Sequence, residues 1–219
     1  MTTYAMNEIE TLVRKAAIGA GLDPGRADDL AAAGLWLAFR AFPVCELVHR
    51  ALAAGPGEPL RLSADGTTAE CPLTSAAHSG PAVLDLLLAK PPGFRVVLND
   101  LDELRLLVAL AAVMATRHQQ RFRLEWGETL LPIGPGANPA AAAVTAGAVR
   151  RLSAIRAPAA ARPGAAAPDP AETSVTRYDP DATTDTGWAA LQVMAARTYV
   201  PASEQSRRSG AGAGLNDND

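Results

Sequence analysis

Arg121-Phe122-Arg123-Leu124-Glu125-Trp126-Gly127, running on to Thr129–Ile133, is the stretch that decides the fold. Phe122, Leu124 and Trp126 alternate with Arg121, Arg123 and Glu125. Successive side chains on a strand face opposite ways, so this pattern gives one dry face and one wet face. Gly127 then turns the chain back as a hairpin through Thr129–Ile133. Upstream, Leu101, Leu104, Val108, Ala111 and Ala115 share one helical face, and the opposite side is also mostly apolar. That predicts a largely buried helix, capped by Asp100 with Glu103 three positions on. Before it, Phe94, Val96 and Leu98 alternate as a strand. Strand, helix, strand and hairpin in this order predict an α+β fold, with helices packed on a mixed or antiparallel sheet.

Toward the N-terminus the period becomes helical. Asn7 is the expected cap of a first helix, with Glu10 as its capping-box partner. Ile9, Leu12, Val13, Ala16 and Ala17 form its apolar stripe, and Gly19 and Gly21 end it. Asp23-Pro24 starts a second helix, with Asp at the cap and Pro in the first turn. The turn between them is short, so the two helices form an antiparallel pair. A third helical piece covers about 43–54, and Gly55-Pro56-Gly57 breaks it. Leu60, Leu62 and Ala64 then alternate, Asp65-Gly66 is a tight-turn pair, and Thr67–Cys71 returns as a strand. Ser79-Gly80-Pro81 opens a short apolar helix that ends before Pro91-Pro92-Gly93.

Toward the C-terminus, propensity predicts a helix over Ala140–Ile155. This closes a main domain over 1–155. Residues 156–172 are Ala- and Pro-rich and read as a linker. Residues 173–219 read as a short helix carrying Trp188, Leu191 and Ala195, followed by a Gly-rich tail. This last unit docks either on its own domain or on a second copy, which would make a homo-oligomer.

Composition bounds the function. The chain has 219 residues, 48% of them hydrophobic, enough for a packed core. The formal net charge of -3 gives no reason to expect nucleic-acid binding. Cys45 and Cys71 stand alone, with no CxxC pair, so they read as buried free thiols of a cytoplasmic protein. No secretory leader is visible, and the longest apolar run, Leu106–Ala115, falls short of the about 20 residues a bilayer requires.

The histidines are His49, His78 and His118, and no two share a metal-binding spacing, so no metal site is expected. His78 lies in the loop-like stretch Cys71–Ser79, beside serines and a cysteine, and is the candidate acid or base. In the tail, Arg207 offers bidentate donors to an anion, and Ser203 and Ser206 add hydrogen bonds. Tyr199 gives the tail something to bury, while Gly210, Gly212 and Gly214 permit close backbone approach. The expected function is binding of a small anionic ligand or a partner subunit through this tail. Two alternatives stand beside it. One is a metabolic enzyme whose site joins the tail to the 71–79 loop. The other is a noncatalytic assembly protein. No cofactor is indicated.

Met6-Asn7-Glu8-Ile9-Glu10, Arg14-Lys15-Ala16-Ala17 and Gly19-Ala20-Gly21 resemble the start of DUF3726, a bacterial domain of unknown function. Cys71-Pro72-Leu73, Thr198–Ser203, Ser206-Arg207 and the closing Gly210–Asp219 are similar to the same family. The resemblance implies a family and no catalytic residue. The opening helix pair also resembles the leading helices of the malate/L-lactate dehydrogenase type 2 family. The Ser-His-Gly stretch of that family is missing, and no cofactor or activity is carried over.

Overall fold

The structure is a computed structural model and describes residues 3–72, 74–136, 148–158 and 176–198. Strand β1 (Tyr4–Ala5) leads into α1 (Met6–Gly19), α2 (Pro24–Ala38) and α3 (Val44–Ala53). The hairpin β2 (Arg61–Leu62) and β3 (Thr68–Cys71) follows, then α4 (Ala76–Ala89), β4 (Arg95–Leu101) and α5 (Leu104–His118). Next come β5 (Phe122–Trp126), β6 (Thr129–Ile133), β7 (Val149–Arg156), β8 (Arg177–Tyr178) and α6 (Trp188–Ala196).

The main sheet has six strands in the order β2-β3-β4-β7-β5-β6. β3 and β4 run parallel and every other pair is antiparallel, so the sheet is mixed, as expected of this α+β fold. Val96, Leu98, Phe122, Leu124, Leu152 and Ala154 fill its buried face. The other face carries Arg95, Arg123 and Glu125, which form ion pairs at 3.2 and 2.8 Å. Helices α4 and α5 pack between the sheet and the α1–α3 layer. Both sides of α5 therefore meet protein, and Leu106, Ala109, Leu110 and Ala112 are as buried as the expected inner face.

Several local expectations are corrected. The cap of α1 is Ala5, and Glu8, not Glu10, folds back to accept its N–H at 2.6 Å. Asp23 caps α2 as expected, accepting the Arg26 N–H at 3.0 Å. Asp100 belongs to β4, which runs on through Leu101, and the cap of α5 is Glu103. That carboxylate is fully buried, and it pairs with Arg105 at 2.9 Å and with Arg50 of α3. A charge with two guanidinium partners can be buried where a lone one cannot. Helix α4 begins at Ala76 under a Ser75 cap, earlier than expected, and Pro81 lies inside it. The segment 149–156 is a strand rather than part of a helix. It fills the slot between β4 and β5, with Leu152 and Ala154 inward, so pairing on both edges outweighs helix propensity. Residues 140–147 of that expected helix, and most of the expected linker, lie outside the described residues.

The C-terminal segment 176–198 is docked on the N-terminal helices. β8 pairs with β1, and Trp188 stacks on Tyr4 with ring centroids 3.5 Å apart. Asp185, only 8% exposed, accepts the Cys45 and Glu46 N–H groups at 2.7 and 2.8 Å, capping α3 from outside its own sequence. The Tyr178 hydroxyl donates to the same carboxylate at 2.6 Å. Gly187 lies so close to Cys45 and Glu46 that a Cβ there would overlap their backbone. Burial, then the Asp185 carboxylate, push the Cys45 thiol far above the usual thiol range, which makes it an inert packing group. Replacing Asp185 with Ala strands three N–H groups, those of Cys45, Glu46 and Gly187, and takes one partner from the Tyr178 hydroxyl. The expected loss is about 2–4 kcal/mol of unfolding free energy, measured by urea denaturation of the two proteins.

Candidate functional site

A cavity of about 470 Å³ opens where the α1–α2 turn, the loop 56–60 and the first turns of α4 meet. That volume is in the range of small-molecule sites. Leu22, Pro56 and Leu60 supply apolar wall, while Arg26, Glu58 and His78 supply charge and hydrogen bonding.

His78 reaches this wall from the first turn of α4, not from a loop as its sequence suggested. Its Nε2 lies 3.2 Å from the Leu52 carbonyl, at the end of α3. The serines and the cysteine of the 71–79 stretch are committed elsewhere. Ser75 donates to the Ala51 carbonyl at 2.9 Å, Ser79 to the Pro56 carbonyl at 3.4 Å, and Cys71 to the Glu58 carbonyl at 3.2 Å. A nucleophilic hydroxyl or thiol needs a base in hydrogen-bond reach, and His78 is not so placed toward any of them. Sequence reading missed Arg26. It stands one turn into α2, and its Nε is 3.3 Å from Asp23. The only cue was its position beside the Asp23-Pro24 helix start, which by itself points to structure.

Beneath the wall, Asp102 fixes the start of α4 by accepting the Ala76 N–H at 2.8 Å. Its Oδ2 is buried with no hydrogen-bond partner among the described residues. Burial is the main reason that its pKa stands above the ordinary 3.8.

Two other pockets carry less chemistry. The groove between α1 and α6 is lined by Thr11, Lys15, Trp188 and Gln192. The acidic pocket beside α2 holds Asp28, Asp29 and Asp85. Among the described residues no group of His, Cys, Asp and Glu is arranged to hold a metal ion. No described helix is long and apolar enough to cross a membrane.

Tyr199, Ser203, Ser206, Arg207, Gly210, Gly212 and Gly214 lie outside the described residues. The root of their tail is described. A Cβ placed on Gly19 would lie 3.5 Å from Cβ of Arg197, and the neighbouring Gly21 and Leu22 wall the His78 cavity. The C-terminal turn of α1 therefore touches both the tail root and the cavity.

Residues 4–81 match the DUF3726 family, described as a protein of unknown function. The match bears out the resemblance read in the N-terminal helices. It spans α1–α3 and ends at Pro81, so every cavity residue named so far falls within it. The tail and the docked segment 176–198 fall beyond it. No curated protein matches the chain.

The Asp102 carboxyl makes a prediction about pH. Its folded-state pKa is raised, so folding takes up a proton at pH values between 3.8 and the raised value. The resulting gain is full below 3.8 and is lost as pH rises through the folded-state pKa. The wild-type protein should therefore gain stability relative to Asp102→Asn as pH falls from about 7 to about 4. Denaturant unfolding of both proteins across that range measures it.

Proposed function

We propose that the protein binds a small anionic molecule in the cavity walled by Arg26 and His78, with the C-terminal tail as the second half of the site. The observation that carries this reading is the shared turn of α1, which holds the tail root at Arg197 and the cavity wall at Gly21 and Leu22. Arg26 provides the anchoring charge. Its pair with Asp23 is exposed and long, at 3.3 Å, so a ligand anion can compete for the guanidinium. Arg207, with Ser203, Ser206 and the glycines at 210, 212 and 214, supplies further donors and close backbone approach from the tail, and Tyr199 supplies an aromatic surface. If the bound molecule is turned over, His78 is the acid or base. A bacterial, cytoplasmic setting belongs to the same proposal, and the buried thiols of Cys45 and Cys71, which are not joined in a disulfide, accord with it.

A second reading has its own observation. Ile18 and Val193, on the paired helices α1 and α6, are 40% and 65% exposed, and a partner subunit would cover them. Native mass spectrometry separates the two readings, because a ligand adds a small mass and a subunit adds a whole chain.

Calorimetric titration with small carboxylates and phosphate monoesters tests the first reading. Arg26→Ala is expected to weaken binding at least tenfold, and so is a chain ending at Arg197. Binding unchanged by Arg26→Ala would remove the cavity from the proposal, and binding unchanged by the truncation would remove the tail.

A further inference from the structure

The hydrogen bond of His78 limits what the cavity can hold. A carbonyl oxygen only accepts, so the Nε2 that faces Leu52 at 3.2 Å carries the proton. In the neutral ring Nδ1 is then an acceptor. It has no partner within the protein among the described residues, and it is the one polar ring atom left for the cavity. The neutral ring thus offers a ligand an acceptor at Nδ1. Arg26 offers the opposite. Its Nε is turned to Asp23, and its two terminal nitrogens keep donors for a carboxylate. Leu22, Pro56 and Leu60, which line the same cavity, offer contact to a hydrocarbon body.

The geometry points to a ligand that is a carboxylate bearing its own hydrogen-bond donor, an amino- or hydroxy-substituted carboxylate with a short apolar body. This rests on the anion-binding reading above and goes further, because a simple fatty acid or inorganic phosphate satisfies Arg26 and leaves His78 Nδ1 without a donor. An acceptor left unpaired in a site costs binding, and a ligand that supplies the donor gains by comparison.

The experiment uses the full chain and three probes of one skeleton: 3-methylbutanoate, 2-hydroxy-3-methylbutanoate and valine. Calorimetry should give at least tenfold tighter binding for the hydroxy or the amino compound than for the plain acid, roughly the worth of one hydrogen bond. His78→Phe should erase that advantage, so that the three probes bind within about threefold of one another. Circular dichroism checks the fold of the variant separately. Equal binding of all three probes, each weakened by Arg26→Ala, would overturn the donor requirement and leave the anion site standing. An advantage that survives in His78→Phe would overturn the role of His78. No binding of any probe by the wild-type chain would overturn this inference, and phosphate monoesters that still bind would show that the anion site itself survives.

Discussion

One buried carboxylate holds the two ends of the described chain together. Asp185 sits at the N-terminus of α3, where it accepts two backbone N–H groups and the Tyr178 hydroxyl. The first N–H groups of a helix have no partner within it, so they must be met from outside. In most helices the preceding residue does this. Here Pro43 precedes α3 and has no side chain that accepts, so the acceptor comes from some 140 residues downstream. The helix cannot keep its buried start without the C-terminal segment. That segment in turn has nowhere else to place its charge. The tight approach of Gly187 and the stacking of Trp188 on Tyr4 follow from this docking.

The candidate site depends on the same constraint by way of α1. Helix α6 lies along α1 and delivers Arg197 to Gly19. The turn that follows α1 is one wall of the cavity. On the opposite wall, α4 is held in place by Asp102 and Ser75, and this sets the height at which His78 meets the end of α3. Two buried acids, Asp185 and Glu103, thus act at the starts of α3 and α5 and link elements far apart in sequence. Arrangements like these are costly to build unless every polar partner is present, which makes them rigid once complete.

Much of the sheet and helix pattern was legible in sequence because it follows from local period. The alternation in 122–126 and the apolar α5 needed no tertiary information. The cap of α5 was misread at Asp100, because choosing between Asp100 and Glu103 depends on how far β4 pairs with β7. Segment 149–156 was misread as helix because Ala-rich propensity is local, whereas the slot between β4 and β5 is not. The docking role of Asp185 and Tyr178 left no periodic signal at all. His78 was legible as a residue but not as a geometry. Its tautomer is set by a carbonyl 26 positions upstream, and Arg26 joins it only because the α1–α2 turn folds over the loop 56–60.

The most direct test of this account is the amide hydrogen exchange of Cys45 and Glu46 in the full chain. Both are in the first turn of α3, where an uncapped helix exchanges quickly. Protection comparable to that of the β4 and β7 amides would place Asp185 on them in solution and hold the C-terminal segment against α1. Fast exchange at both positions, with β4 and β7 protected, would mean that the C-terminal segment is not docked and would contradict this account.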